Sequence, residues 1–195
     1  MTSVPCEVCQ EPRPHHDMVH YGSIEGGYRL LCSRCFNADM ARRNGLEDFE
    51  NFRTEPITIS DGTGQTHEFH CRTRLLGDVV ALDAFELENG DPAGYQFQVI
   101  GDCNEDRFRL LARMIQKMRR ALSVQHVADK HDGHGLQIVD QTVRGTIAWD
   151  DAEDGRIPML VVDGKPVTWD ELGRMLMTFE GSQFKLEIRD ASEDL

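Results

Sequence analysis

Two pairs of cysteines near the N-terminus have the spacing of metal ligands. Cys6 and Cys9 form one CxxC motif, and Cys32 and Cys35 form a second one after 22 intervening residues. Four thiolates at this spacing can supply the tetrahedral shell of a structural zinc site, with Zn–S bonds of about 2.3 Å. Because four sulfurs fill that shell, no position stays open for water or a substrate. The motif therefore predicts one structural Zn²⁺ ion and no catalysis by that ion.

Two alternatives for these cysteines stay open at the level of sequence. The four thiols could be unrelated and reduced, or one pair could be a redox dithiol, which would normally lie between a strand and a helix in a βαβ unit. The proline-rich CQEPRPHH that follows the first pair does not provide such a unit. His15, His16 and His20 could each replace a sulfur, but four cysteines already complete the shell, so we interpret these histidines as turn and surface residues.

The elements around the cysteines can be predicted from the local pattern. Residues 18–31 indicate two short strands joined at Gly26-Gly27, and Phe36 and Met40 indicate a helix that ends near Asn44-Gly45. A knuckle, a hairpin, a second knuckle and a helix resemble a treble-clef zinc finger over residues 1–45. The resemblance rests on the four cysteines and implies a fold and zinc, but no activity.

The rest of the chain predicts an α+β domain over residues 57–195, reached through a packed linker over residues 46–56. Alternating apolar and polar residues around a turn at 61–64 and a break near Gly77-Asp78 indicate antiparallel strands with one buried face. The predicted fold class is thus α+β, with a small N-terminal treble-clef zinc module followed by a mostly antiparallel sheet and two amphipathic helices.

Both helices and a last strand have recognisable patterns. The first helix begins near Asn104, with Asp102 or Asn104 as its N-cap, and is expected to bury a stripe of Phe108, Leu111, Ile115, Met118 and Leu122. Leu110, Met114 and Ala121 widen this stripe enough to permit a dimer contact. The second helix opens with a Thr168–Glu171 capping box and is expected to bury Leu172, Met175, Leu176 and Phe179. A hairpin turn at Asp163-Gly164 precedes it, and a final strand, QFKLEI, is expected to point Phe184, Leu186 and Ile188 inward.

The first helix is also the one strongly basic element. Its cations are Arg107, Arg109, Arg113, Lys117, Arg119 and Arg120. Such a set favours an anionic partner or an acidic protein surface. The alternative is a solvated helix face balanced by nearby acids.

Two histidine-rich stretches are candidates for further sites. His126, His131 and His134, with Asp129 and Asp132, could ligate a second divalent metal if the loop closed around it, although glycines and charges also fit a surface loop. In the stretch HEFHC, a strand would place His67 and His70 on opposite faces, so they could not share one ion.

The net charge of the chain limits the classes of partner that we expect. The net charge of −13 over 195 residues disfavours nucleic acid and anionic lipid unless a local basic patch overcomes it. The first residues lack the pattern of a signal peptide and no window is apolar enough to span a bilayer, so we expect a cytoplasmic protein.

The sequence therefore predicts a non-catalytic, zinc-stabilised adaptor or regulatory protein that acts through protein contacts, with self-association as a dimer among them. The alternative is a metal-dependent hydrolase or nuclease that uses the second His/Asp site. A third hypothesis is nucleic-acid binding through the zinc module, with Arg29, Arg34, Arg42 and Arg43 as contacts. Recognised catalytic motifs such as GxSxG and HExxH are missing from the sequence, so we lean against an enzyme.

Overall fold

The structure is a computed structural model that describes residues 3–46, 49–130 and 133–193. The described part contains three α-helices and short sheets whose strand pairs are all antiparallel. The predicted α+β class is confirmed. No helix among the described residues is both long and apolar enough to cross a bilayer.

The N-terminal part consists of two small strand pairs and a helix. Its elements are β1 (Ser3–Pro5), β2 (Pro12–Pro14), a 3-10 turn (His15–Asp17), β3 (Met18–Ser23), β4 (Gly27–Cys32) and α1 (Ser33–Arg43). β1 pairs with β2, and β3 with β4. The predicted hairpin and helix are both confirmed, and Gly45 takes the left-handed conformation (φ +67°) expected just after a helix end.

A four-stranded antiparallel meander follows. Its strands are β5 (Ile57–Ser60), β6 (Thr66–Leu76), β7 (Val79–Glu88) and β8 (Asp91–Asp102), which lie side by side in chain order. The tight turn between β6 and β7 falls at Gly77-Asp78, as predicted, with Gly77 at φ +71°. Alternate residues of these strands, including Phe69, Leu75, Val80 and Leu82, face one core.

Helix α2 (Arg107–Leu122) packs on this sheet, and its buried face matches the prediction in part. Met118 and Leu122 are buried as predicted, but Leu110 and Met114, which were expected to widen the stripe toward a dimer contact, complete the buried row. Phe108 is 73% exposed, and Leu111 and Ile115 are only partly buried. The N-cap is Asp106, not Asp102 or Asn104. Two neighbouring apolar stripes have the same period, so periodicity alone could not identify which one faces the sheet.

The C-terminal part has a separate small core. Its elements are β9 (Val127–Asp129), β10 (Leu136–Ile138), β11 (Thr146–Ala148), a 3-10 turn (Asp151–Glu153), β12 (Met159–Val162), β13 (Lys165–Val167), α3 (Trp169–Leu176) and a 3-10 turn (Met177–Phe179). β9 pairs with β10, and β11, β12 and β13 form a three-stranded sheet. Val127, Val162, Val167 and Met175 are buried together.

Two predictions for this part are confirmed and two are wrong in part or whole. The Asp163-Gly164 turn joins β12 to β13, and the capping box at the start of α3 is formed. Of the predicted α3 stripe, only Met175 is buried, while Leu176 is 48% exposed. The predicted final strand does not form, because residues 182–190 have no ladder partner among the described residues.

The N-terminal module, which carries the four cysteines, and the meander are joined through a buried asparagine. β5 covers β6 only as far as Phe69, so the edge of β6 is open beyond that point. Asn37 of α1 fills the gap, since its Nδ2 donates to the carbonyl oxygen of Thr73 (2.8 Å) and its Oδ1 accepts from the N–H of Leu75 (2.8 Å). The amide thus imitates one residue of a neighbouring strand.

Candidate metal centre

The four predicted cysteine ligands come together. The sulfur atoms of Cys6, Cys9, Cys32 and Cys35 all lie within 4.8 Å of one another, and Cys9 Sγ is 4.0 Å from Cys32 Sγ. A tetrahedral shell with Zn–S bonds of about 2.3 Å has S···S edges of about 3.8 Å. The donor set and its spacing therefore fit a zinc ion. Within the described residues, these cysteines are the one group of three or more His, Cys, Asp or Glu side chains that lie close enough together to hold a metal.

The first ligand pair is shaped by a turn between β1 and β2. The N–H of Gln10 donates to the carbonyl oxygen of Cys6 (2.8 Å), and the N–H of Cys6 donates to the carbonyl oxygen of Glu11 (3.1 Å). Gln10 takes a left-handed conformation, with φ +59°. This reversal brings Cys9 back beside Cys6 and lets β2 pair with β1.

The second pair lies where a strand becomes a helix. Cys32 is the last residue of β4 and the N-cap of α1, and Cys35 lies in the first turn of that helix. The N–H of Cys32 donates to Cys6 Sγ (3.3 Å), which links the two knuckles directly. The chain thus delivers two sulfurs from a turn and two from a helix start.

Two of the four cysteines are fully buried, and Cys9 and Cys35 are partly buried. Cys6 and Cys32 have no exposed surface, and Met18 is buried beside them, with Leu30 packed against the group. Glu7 fastens the first knuckle to β4, because its N–H donates to the carbonyl oxygen of Leu30 (3.0 Å) and its Oε1 accepts from the N–H of Leu30 (2.8 Å). These contacts leave the sulfurs inside the module.

The protonation of the thiols depends on their surroundings. Burial raises the pKa of Cys6, but N–H groups of Cys32, Cys9 and Val8 donate to it and bring its pKa down to about 6. Burial raises the pKa of Cys35 to about 12, and the other cysteine side chains add to that increase. Four thiolates this close repel one another, so all four would ionise together only around a cation. Bound Zn²⁺ would supply that charge and so tie the fold of the module to the metal.

The six basic residues predicted as a partner surface all lie on α2, but several have intramolecular roles. Arg113 Nη2 donates to the carbonyl oxygen of Ile100 (3.0 Å), and Lys117 Nζ donates to that of Gln98 (3.1 Å). Both acceptors belong to β8, the last strand of the meander. Arg107 donates to backbone carbonyls at the helix start, and its guanidinium lies 5.2 Å from the ring centre of Phe49. Arg109, Arg119 and Arg120 are exposed.

The histidine candidates do not form a second cluster among the described residues. His126 is buried, and its Nδ1 lies 2.9 Å from the carbonyl oxygen of Thr142. His131 lies outside the described residues, so a site shared with His126 and His134 stays a prediction. His67 and His70 point to opposite faces of β6, as expected. His67 is buried between Glu86 (Nδ1–Oε1 2.8 Å) and Asp61 (Nε2–Oδ2 3.3 Å).

The role of one buried acid, Asp83, was not predicted from the sequence. Asp83 is 7% exposed and accepts hydrogen bonds from Arg72, Arg74 and Gln98, while Arg72 also donates to the carbonyl oxygen of His16 (3.1 Å) in the N-terminal module. A lone acid inside the apolar run VVALDAF was a usable signal, because a buried carboxylate requires partners. No comparable local signal distinguishes Asn37.

Three family models match consecutive segments of the chain. Each is described as a domain of unknown function: DUF7685 over residues 5–47, DUF7686 over residues 50–123 and DUF7713 over residues 126–193. No curated protein and no solved structure matches the chain. The first segment contains the cysteine cluster, the second the meander with α2, and the third the smaller core. The division predicted from sequence into 1–45, 46–56 and 57–195 stays a prediction.

Proposed function

We propose that this protein is a non-catalytic, zinc-stabilised adaptor whose N-terminal part is a treble-clef module. The main observation that supports this proposal is the cluster of four cysteine sulfurs within 4.8 Å of one another. The order of knuckle, hairpin, knuckle and helix supports the treble clef. Four sulfurs occupy every position of a tetrahedral zinc ion, so the metal would hold the fold and would not bind a substrate. Reduced thiols are required, which favours a cytoplasmic location.

The adaptor role is supported by how firmly the module is attached to the sheet. Asn37 and Arg72 join it to β6 at buried or half-buried positions, through acceptors and donors of the main chain. Main-chain bonds of this kind fix the orientation of the module, which therefore presents its outer surface in a constant position. A rigid platform of this type suits recognition of another macromolecule.

Charge in the module favours a protein partner over a nucleic acid. Three of the four candidate arginines are close to acids: Arg34 to Glu11 (3.4 Å), and Arg42 and Arg43 to Asp39 (3.1 and 2.8 Å). These pairs weaken the positive field that a phosphate backbone would require, in a chain that is already acidic. The exposed apolar side chains of the β3–β4 hairpin, Ile24 and Tyr28, are better suited to a protein contact.

The test combines metal analysis with a matched pair of cysteine variants. Native protein purified without chelator should contain one zinc per chain, and Cys32→Ser should lose it. Cys103→Ser, at a half-buried cysteine outside the cluster, should keep it. Since zinc binding contributes on the order of 10 kcal/mol to small zinc folds, hydrogen exchange in residues 3–46 should become fast in Cys32→Ser alone.

Three results would contradict the proposal. A zinc-free native protein, or unchanged hydrogen exchange in residues 3–46 of Cys32→Ser, would exclude a structural metal. A second, exchangeable metal together with phosphoester hydrolysis would support the hydrolase alternative. Salt-sensitive binding to DNA or RNA that is lost when Arg29 and Arg34 are replaced by alanine would support the nucleic-acid hypothesis.

A further inference from the structure

The C-terminal segment of residues 183–189, called the tail segment below, has the pattern of a strand but no strand to pair with in the described part of the chain. Its sequence QFKLEIR alternates apolar and polar residues. Phe184, Leu186 and Ile188 are 90, 71 and 69% exposed. None of these seven residues belongs to a ladder among the described residues. Three large apolar side chains in one exposed row are unusual for a surface that has no partner.

The tail segment already has its polar side chains on one side. Lys185 Nζ lies 3.0 Å from Glu187 Oε2, and Arg189 also contacts the Glu187 carboxylate. Residues two apart share a side only when the chain is nearly extended, so the apolar residues share the other side. The backbone is held at both ends, since the N–H of Ser182 donates to Phe179 O (2.9 Å) and Lys117 Nζ donates to Ala191 O (2.8 Å).

We propose that the tail segment pairs antiparallel with the same segment of a second copy of this chain, with the two-fold axis at Leu186. In this register Phe184 lies opposite Ile188 of the second copy, and Leu186 lies opposite itself. On the other side, Lys185 lies opposite Glu187 of the second copy. The two-fold axis repeats each of these pairs, as a closed dimer interface requires. The resulting two-stranded ribbon therefore has apolar pairs on one face and opposite-charge pairs on the other.

The charges select this register over its neighbours. A shift of the pairing by one residue would place apolar side chains opposite charged ones along the whole segment. A shift by two would centre the pair on Lys185 or on Glu187, which puts like charges directly opposite each other and is destabilising. The alternation of Lys, Glu and Arg thus fits one pairing, and that pairing is symmetric.

The meander offers the tail segment little to pair with. Its edge strand β5 has only four residues, Ile57–Ser60, none of them charged, and side chains already bind the open edges of β6 and β8. Asn37 binds the exposed stretch of β6, and Arg113 and Lys117 bind carbonyls of β8. β11 is an edge strand of the smaller sheet, but it has only three residues, Thr146–Ala148, and no charge to match Lys185 or Glu187. A second tail segment provides seven residues and both charges.

This dimer does not depend on the metal, so its failure and that of the zinc proposal can be told apart. The test uses the full-length, zinc-loaded chain in sedimentation equilibrium over a range of concentrations. Lys185→Glu and Glu187→Lys each place like charges opposite each other twice, and each should raise the dimer Kd about tenfold or more. The double variant exchanges the charges and restores both pairs, so its Kd should return to within about threefold of the wild-type value. Both single variants should keep one zinc per chain and an unchanged circular dichroism spectrum.

Each of the following four results would overturn the proposal. A wild-type protein that stays monomeric at about 100 µM has no such dimer. A dimer that neither single variant weakens uses another surface, for example the outer face of α2. A double variant as weak as the single ones would show that the charges are not opposite each other. Open chains of increasing mass would indicate that the tail segment docks on a different site of its neighbour, such as β11.

Discussion

Replacing Asn37 by alanine should destabilise the protein far more than its small size suggests. The side chain is fully buried and makes both hydrogen bonds to the open edge of β6, with Thr73 and Leu75. In Asn37→Ala the carbonyl oxygen of Thr73 and the N–H of Leu75 stay buried but lose their hydrogen-bond partners. An unsatisfied buried group costs about 1–3 kcal/mol. Alanine recovers at most about 0.7 kcal/mol in helix propensity, so we expect a net loss of stability of about 3 kcal/mol.

The matched control is an asparagine at the end of the same helix. Asn44 is exposed, and its Nδ2 donates to the carbonyl oxygens of Met40 (2.9 Å) and Gly77 (3.1 Å), which water can replace. Asn44→Ala should therefore cost less than about 1 kcal/mol. Both tryptophans lie in the C-terminal part, so urea unfolding should be followed by far-ultraviolet circular dichroism on zinc-loaded protein.

Hydrogen exchange provides a second, local measurement. The amide of Leu75 is protected by the Asn37 side chain, so its exchange should accelerate in Asn37→Ala and stay slow in Asn44→Ala. Equal stability of the two variants, or a protected Leu75 amide in Asn37→Ala, would refute the view that this side chain closes the sheet edge.

Three further predictions concern the meander and the C-terminal part. Asp83→Ala should cost about 2–4 kcal/mol in urea unfolding, because it strips the carboxylate from two half-buried arginines; a loss below 1 kcal/mol would contradict this. The Thr168 N–H lowers the pKa of Glu171 below its ordinary 4.5, so the capping box contributes fully above that pH and weakens as the pH falls. Glu171→Ala should thus cost about 1 kcal/mol at pH 7, and its difference from wild type should shrink toward pH 3; a constant difference would argue against the charge. Gly164→Ala should destabilise by about 1–2 kcal/mol, because φ is +71° and the new Cβ would lie 2.8 Å from the Tyr95 ring, whereas Gly173→Ala in open helical space should stabilise; thermal melts that give both the same sign would contradict the assignment.

Local turn and ligand chemistry made much of this architecture predictable. The turns at Gly77-Asp78 and Asp163-Gly164 lie where expected, since a tight turn depends on its own few residues. The cysteine cluster was predictable because CxxC spacing fixes which side chains can meet. These features need no knowledge of distant parts of the chain.

Features that depend on distant partners were mispredicted or missed. The buried face of α2 was predicted correctly at Met118 and Leu122 but wrongly in the first half of the helix. Leu110 and Leu111 begin two neighbouring apolar rows, and only contact with the sheet decides which row is buried. The last strand was predicted from its alternation alone, but a strand also needs a neighbour. Asn37 was missed because its role depends on where β5 begins, which leaves β6 uncovered beyond Phe69, and its partners Thr73 and Leu75 lie 36 and 38 residues further along the chain.

The tail segment differs from the open strand edges of the meander in how its charges are arranged. Natural sheets protect exposed edges against unwanted pairing, often with a charge or a covering side chain. The meander has such protection in Asn37 on β6 and in Lys117 on β8. Charges that block an edge generally have one sign, since two copies then repel each other. Lys185 and Glu187 instead have opposite signs on the two sides of Leu186. A two-fold axis at Leu186 therefore places each of them opposite an unlike charge, so these charges favour the pairing of two tail segments.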